Sequence, residues 1–307
     1  MKILITGGAG FIASQITDAF IDAGHNVVVL DDLSTGFEKN INPKAKFIKA
    51  NICDVNLAKL FEHEKFDAVD HHAAQMDVRR SVADPAFDAN TNIIGTINLL
   101  QNSVKYGVKK FMFASTGGAV YGEQEYFPAD ELHPTAPVSP YGISKLAVEK
   151  YLFFYNKQYG LNYTIFRYAN IYGPRQNPFG EAGVVAIFTT KLLKSQQAVI
   201  NGSGLQTRDY VFVGDVVKAN LLLLNDKKNA IYNVGTAKET DVNEVFNKLN
   251  NIVGKGQKEK HGPAAAGEQL RSVITSEKLF KTFGWKPSTK MDEGLLSTVE
   301  YFKMNIK

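Results

Sequence analysis

Through the first half of the chain, short aliphatic and β-branched runs alternate with stretches whose apolar positions recur every three or four residues. Lys2 to Thr6 (KILIT) is apolar almost throughout, as a strand buried on both faces requires. Phe11 to Ala23 has helical spacing and stops at Gly24, and Asn26 to Leu30 reads as the next strand. Ala45 to Ala50 predicts a third strand, followed by a helix ending near Lys65. Ala68 to His72, Lys110 to Ala114 and Tyr163 to Arg167 continue the strands, with helices from about Asp88 to Tyr106 and about Tyr141 to Tyr159. Strand and helix in repeated alternation is the pattern of an α/β fold: a Rossmann-type, doubly wound parallel sheet, which takes ligands at the carboxyl ends of its strands.

After Arg167 the texture changes. Tyr172 to Gly183 is rich in Gly, Pro and Asn and reads as a loop, and Val184 to Ser195 as a helix. Asn201 to Asp209 reads as a polar turn, Tyr210 to Val213 as a strand, Asp215 to Leu224 as a helix, and Lys255 to Gly267 as a loop. The expected division is a doubly wound domain over 1–169, with 211–236 returning to it. A smaller mixed α/β substrate-binding cap is expected from 170–210 and 237–307.

Composition narrows the class. With 307 residues, 44% hydrophobic, the chain can bury a large core. A formal net charge of +4, with no basic run interleaved with aromatics, gives no sign of a nucleic-acid partner. The lone cysteine, Cys53, excludes an internal disulfide and a cysteine-built metal site, so no metal is expected and a reducing, cytoplasmic setting fits. The apolar start from Met1 to Gly7 is too short for a signal peptide, and no apolar run is long enough to span a bilayer, so no membrane partner is expected.

The segment Thr6-Gly7-Gly8-Ala9-Gly10-Phe11-Ile12-Ala13-Ser14 stands between a predicted strand and a predicted helix. Gly7 and Gly10 let backbone turn tightly against a pyrophosphate, and the helix start offers N–H groups and partial positive charge. A plain glycine turn is the structural alternative. The flanking elements, and Asp31 at the end of the next strand where an acid meets an adenosine ribose, favour a dinucleotide. Asp31 and Asp32 repel a 2′-phosphate, and no Lys or Arg intervenes before Lys39, so the cofactor reads as NAD and not NADP.

Tyr141 and Lys145, four residues apart on one helical stretch, share a face. A phenol titrates near pH 10, and lowering that by about three units needs roughly 4 kcal/mol of preferential phenolate stabilisation. A neighbouring ammonium and a positive nicotinamide ring together supply such a term. Ser115 and Thr116 close the strand from Lys110. A hydroxyl there reaches over the ligand edge, where the structural alternative is a turn cap.

These segments resemble the extended short-chain dehydrogenase/reductase family, most closely its UDP-glucose (UDP-hexose) 4-epimerase branch, over nearly the whole chain. The marks are TGGAGFIAS (6–14), DDLSTG (31–36), HHAAQ (71–75), NIIGTINLL (92–100), FASTGGAVYGE (113–123), YGISK (141–145), RYANIYGPR (167–175), GEAGVV (180–185) and LQTRDYVFVGDV (205–216). The resemblance implies that Gly7, Gly10, Phe11 and Ile12 hold the pyrophosphate, and Asp31, with Asp32 and Ser34, the adenosine ribose. It places Asn51 and Ile52 by the adenine, and Ala73, Ala74, Gln75, Asn92 and Tyr168 by the nicotinamide. It makes Thr116 the substrate-binding hydroxyl, with Ser115 as substitute and Gly117 the position reached by counting back from Val120-Tyr121-Gly122. Tyr141 is then the general base and acid, and Lys145 its electrostatic partner and ribose ligand. A UDP-sugar would meet Gln75, Asn170, Val184, Val185, Gln206, Arg208, Tyr210, Glu268 and Arg271. An arginine suits a diphosphate because its planar fork donates two charge-assisted hydrogen bonds; for Arg208 the plainer alternative is a surface pair with Asp209.

The departures bear on substrate. Ala13 stands at the third glycine of the fingerprint. Ala265-Ala266-Gly267-Glu268 lacks an arginine that family members often carry there, a gap Arg271 is a candidate to fill. Ser272 stands where some epimerases place a bulky side chain, which implies a pocket roomy enough for a 2-acetamido sugar. Dehydratases and nucleotide-sugar decarboxylases of the family carry an acid after the substrate-binding hydroxyl, where this chain has Gly117-Gly118. The expected reaction is therefore reversible C4 epimerisation of UDP-Glc/UDP-Gal or UDP-GlcNAc/UDP-GalNAc through a 4-keto sugar, with tightly bound NAD. A UDP-glucuronate epimerase remains open if Arg79 or Arg80 faces the sugar. So does a non-catalytic nucleotide sensor, which the intact Thr116, Tyr141 and Lys145 disfavour. Fold analogy implies a homodimer through the helices near Asn92 to Tyr106 and Ser144 to Tyr159.

Overall fold

The computed structural model describes residues 1–179, 183–264 and 269–305. The chain gathers into two compact units. Met1–Gly122, Thr135–Arg167 and Val217–Tyr232 make the first, and Glu123–Pro134, Tyr168–Val216 and the residues from Asn233 onward the second.

In the first unit the elements run β1 (Lys2–Thr6), α1 (Phe11–Asp22), β2 (Asn26–Asp31), β3 (Lys46–Lys49), α2 (Leu57–Glu64) and β4 (Ala68–His71). They continue with α3 (Val78–Ala83), α4 (Pro85–Ala89), a π-helical turn (Asn90–Ile94), α5 (Gly95–Lys105), β5 (Lys110–Thr116), α6 (Gly117–Val120), α7 (Pro140–Tyr159) and β6 (Asn162–Tyr168). The seven-stranded sheet has the order Ala230–Val234, β6, β5, β4, β1, β2, β3, and the ladders from β3 across to β5 are parallel. Strand order reverses between β1 and β4, which opens a ligand crevice at their carboxyl ends. Thr6 pairs in register with Leu30 on one side and His71 on the other, so the loops after β1, β2 and β4 leave one edge together. Leu4, Leu30, Val69, Phe111 and Phe113 from the sheet meet Leu99 and Leu100 from α5 and Val148 and Leu152 from α7.

The helix expected over 88–106 is instead α4, a π turn and α5. Asp84 caps it, accepting from Phe87 N (3.0 Å), and Pro85 occupies its first position, where a missing N–H costs nothing. Helix α7 starts on the same device one residue before the expected start. Ser139 accepts from Gly142 N (3.2 Å), Pro140 follows, and Gly160 ends the helix at φ +71°.

Beyond β6 the chain runs through β7 (Asn170–Tyr172), α8 (Val184–Leu193), β8 (Ile200–Asn201), β9 (Thr207–Arg208), β10 (Tyr210–Phe212) and α9 (Val213–Leu223), which returns to the first unit from Val217. There follow β11 (Ala230–Val234), the seventh strand of the large sheet, β12 (Thr240–Asp241), α10 (Val242–Val253), β13 (His261–Gly262), β14 (Arg271–Ser272), α11 (Glu277–Phe283) and α12 (Met291–Asn305). The expected turn at 201–209 and loop at 255–267 contain paired residues: Ile200 lies beside His261, and β9 lies between β12 and β14. Strands of two residues carry no periodicity to detect. Helix α10 carries its own start and stop signals in the sequence. Asp241 caps it onto Glu244 N (2.7 Å), Gly254 ends it, and Val242, Val245, Phe246 and Leu249 pack on Phe188 and Leu192 of α8 and Leu295 and Val299 of α12. Among the described residues no helix is long and apolar enough to cross a membrane.

Candidate active site

The turn after β1 packs closely on the loop after β4. Gly7 sits at φ +72°, and a Cβ there would lie 2.7 Å from Ala73 N, so only hydrogen fits between the loops after β1 and β4. Gly10 N donates back to Gly7 O (2.9 Å), and Gly10 precedes α1 with no side chain capping the helix. Phe11 and Ile12 form the first turn of α1, and buried Ala13 sits behind them.

Asp31 anchors this turn from β2. Its Oδ2 accepts from Ala9 N (3.0 Å) and Oδ1 from Leu33 N (2.8 Å), and burial pushes its carboxyl up from the ordinary value. Asp32 accepts from Ser34 N (2.9 Å) and Asn51 Nδ2 (2.8 Å). Burial opposes its charge, but those donors hold it below the usual carboxylate range. Asp31, Asp32, Ser34 and Asn51 thus form one acidic cluster at the ends of β2 and β3, with Ile52 buried beside them. Such a cluster accepts ribose hydroxyls and repels a phosphate.

At the end of β4, Thr6 Oγ1 accepts from His72 N (3.2 Å) and Ala73 N (3.1 Å), so its proton goes to His71 Nδ1 (2.7 Å). Thr96 Oγ1 donates to Asn92 O (2.6 Å) and so accepts from His71 Nε2 (2.8 Å). His71 is neutral: burial drives its pKa well below the ordinary value, and the charge of Lys145 adds to this. Asn92, in the π turn, clamps the backbone of Gln75, accepting from its N–H and donating to its C=O (2.9 Å each). The Gln75 side chain is already engaged. Its Nε2 donates to Asp77 O (2.8 Å) and Asp88 Oδ1 (3.1 Å), and its Oε1 accepts from Asp77 N (2.7 Å). The expectation that this amide meets the substrate is corrected accordingly.

The catalytic candidates meet at β5 and α7. Lys145 Nζ donates to Ala114 O (2.8 Å), tying helix to strand, and lies 5.8 Å from the Tyr141 ring centre and 4.7 Å from that of Phe113. Burial lowers its ammonium to about 8, against the opposing pull of Asp88 and Glu149. Thr116 accepts from Ala119 N (3.2 Å) as the cap of α6, and as a hydroxyl it retains a donor. The turn-cap alternative and the ligand role are thus compatible in one residue. Gly117 is buried and carries no side chain. Ser115 is removed from candidacy as the substitute hydroxyl: it is 3% exposed and donates to Glu149 Oε1 (2.6 Å).

In the second unit, Asn170 and Tyr210 lie opposite one another in the β7–β10 ladder. Arg208 donates to Thr207 O (2.8 Å), while Asp209 is buried and accepts from Thr236 N and Oγ1, so the pairing of Arg208 with Asp209 is replaced by other partners. Gln206 and Arg271 line one cavity of about 310 Å³ with Asn201, Ser203 and Leu270. Arg271 forms a bidentate pair with Glu239 (2.9 and 3.1 Å) and stacks on Phe127 (3.7 Å), so its guanidinium is committed elsewhere than to the missing-arginine role. Val185 is buried in the α8 core, leaving ligand contact in that first turn to backbone. Tyr168 closes β6 and is buried. Arg80 is exposed and stacks on Phe87 (4.0 Å). Glu268 lies outside the described residues.

The sequence model of the NAD-dependent epimerase/dehydratase family matches residues 3–235. The chain belongs to this family. A UDP-glucose 4-epimerase of Mycolicibacterium smegmatis is 41% identical, with 99% of each chain covered. The crystal structure of a UDP-glucose 4-epimerase of Thermotoga maritima with UDP-glucose superposes at a TM-score of 0.98, with 47% identity over 100% of both chains. That of a Thermus thermophilus UDP-glucose 4-epimerase with NAD superposes at 0.94, with 41% identity over 99% of both.

This family member also carries a buried ion pair beside β5. Glu149, four residues after Lys145, receives Arg167 Nε (3.0 Å) and Nη2 (2.6 Å) as well as Ser115, and Arg167 Nη1 donates to Tyr121 OH (3.0 Å). Burial opposes the Arg167 charge, but Glu149 raises its pKa further above the ordinary value. The signal was the helical spacing from Lys145 together with an arginine inside an apolar strand. Glu149→Gln leaves a buried guanidinium uncompensated and is expected to reduce stability by about 3–5 kcal/mol in urea unfolding. A loss under about 1 kcal/mol would show the pair is not needed to hold β6 and α7 together.

Proposed function

We propose that this chain reversibly inverts C4 of a UDP-hexose, UDP-Glc/UDP-Gal or UDP-GlcNAc/UDP-GalNAc, with NAD held tightly through the cycle. The observation that carries the reading is the placement of Thr116, Tyr141 and Lys145 on β5 and α7, with Lys145 fixed to the strand end, in a unit whose turn after β1 leaves no room for a side chain at Gly7. Gly7, Gly10, Phe11 and Ile12 would hold the pyrophosphate of NAD, Asp31 its adenosine ribose, and Asn51 and Ile52 its adenine. The backbone of Ala73, Ala74 and Gln75, steadied by Asn92, would border the nicotinamide with Tyr168, and Lys145 its ribose. When bound, NAD supplies the hydride acceptor and donor for C4.

Tyr141 takes the O4 proton as the alcohol becomes a ketone and returns it once the sugar has turned over. Thr116 donates to O4 and orients it. The Lys145 ammonium stabilises the phenolate. Arg208, Asn170, Tyr210, Gln206 and the amides of Val184 and Val185 would hold the UDP, so that the anchor persists while the sugar rotates.

Two within-family alternatives fare worse. An acid to expel a C6 oxygen is absent at Gly117 and Gly118. A uronate needs an arginine at the sugar; Arg79 and Arg80 are both exposed, and Arg80 stacks on Phe87. Ser272 is small and buried in β14, which supports room for a 2-acetamido group. The test is incubation of the chain with UDP-glucose, UDP-N-acetylglucosamine and UDP-glucuronate, separately, with products resolved by NMR. C4-inverted products are expected from the first or second. Inversion of UDP-glucuronate alone, or of none, would overturn the assignment.

A cytoplasmic homodimer completes the reading. Leu152 and Tyr155 point into the core, but Tyr151, Phe153 and Phe154 on α7 and Ile94 before α5 are exposed, more apolar surface than a solvent face tolerates. Light scattering is expected to return twice the 33.9 kDa chain mass, and a monomer would count against it.

A further inference from the structure

Behind the reacting groups stands a carboxylate that the reaction as written does not use. Asp88 of α4 is fully buried. Its Oδ1 accepts from Asn92 Nδ2 (3.0 Å) and Gln75 Nε2 (3.1 Å), and its Oδ2 from Ser144 Oγ (2.6 Å). These donors come from the π turn, from the segment after β4 and from the catalytic helix α7, so one side chain ties together the three pieces of backbone that carry the nicotinamide border and the Tyr141–Lys145 pair. All three donors are neutral. Neutral donors do not cancel the charge of a buried carboxylate, and in a low-dielectric interior such a charge acts beyond hydrogen-bond range.

The cation within its influence is Lys145, next in sequence to Ser144 and 4% exposed. On its other sides Lys145 meets neutral His71 from β4, the Tyr141 phenol one turn earlier, and Glu149, whose charge is matched by Arg167 from β6. Asp88 is therefore the unmatched negative charge of this cluster. We infer that Asp88 is a positioning residue for the reaction proposed above, fixing α7 through Ser144 and supplying the negative charge that keeps Lys145 an ammonium ion. Burial alone draws Lys145 down, and Asp88 acts against that fall.

The test follows the titration of Lys145 itself, by the ¹³Cε resonance that disappears in Lys145→Arg, on the NAD-bearing protein, alongside the pH profile of kcat. Asp88→Asn is expected to lower the Lys145 midpoint by about one pH unit or more and to carry the alkaline limb of kcat down with it. Ser144→Ala, which removes a hydrogen bond and keeps the charge, is expected to lower kcat with the midpoint in place. An unmoved midpoint in Asp88→Asn, or an equal fall in Ser144→Ala, overturns the inference. Should Asp88→Asn not fold, Asp88→Glu is read in its place: an unmoved midpoint supports the charge role and a lowered one overturns it. If the wild-type protein inverts no sugar while Asp88→Asn still lowers the midpoint, the coupling stands and the reaction assigned above falls.

Discussion

Tyr141→Phe is expected to lower kcat for sugar inversion by about 10³-fold, within the range general acid–base groups contribute, while NAD content and substrate KM stay within a few-fold of the wild type. The ring remains, so packing at the start of α7 is preserved; only the hydroxyl that carries the O4 proton is lost. Its neighbours survive the change, because Lys145 Nζ is held by Ala114 O and not by the phenol. Steady-state kinetics with the retained nucleotide measured after denaturation would check both halves. A kcat within tenfold of wild type would remove Tyr141 from the chemistry.

Lys145→Met comes next in size. The ammonium favours the phenolate, so its removal makes the phenolate harder to form, and the pH at which activity appears is expected to rise by up to about three units, each worth about 1.4 kcal/mol. At neutral pH kcat is expected to fall by about 10²–10³-fold. Stability is expected to change little, because two effects oppose. Burial holds the ammonium near 8, below its ordinary value of 10.5, so an apolar side chain removes a penalty on the folded state, but the same change takes the cation from buried Asp88. An active Lys145→Met with an unshifted acid limb would contradict the electrostatic role.

The long strands and helices of the large sheet were legible because each announces itself. KILIT is apolar between its end residues, Gly24 and Gly160 end helices, and Asp31 stands at a strand's end. The backbone part of the dinucleotide site followed from the same logic, since the need for glycine at position 7 is fixed by one contact with Ala73 N that no side chain tolerates. What was not legible is where polar side chains point. Gln75 belongs to a motif and Ser115 stands at a strand's end, yet both turn inward, to Asp88 and to Glu149. Arg271 pairs with Glu239, a residue 32 positions away that no local pattern connects to it. Asp88 looked like one more polar residue at a helix start; four residues from Asn92 and paired to Ser144 across 56 positions, it takes its role from tertiary contact alone.

The account rests on C4 losing and regaining the same hydrogen while O4 exchanges its proton through Tyr141. UDP-glucose deuterated at C4, incubated with the chain in ordinary water, tests this directly. Inverted product that keeps its deuterium at C4 is predicted. Inverted product with solvent hydrogen at C4, or a 6-deoxy product in place of the inverted sugar, would contradict it.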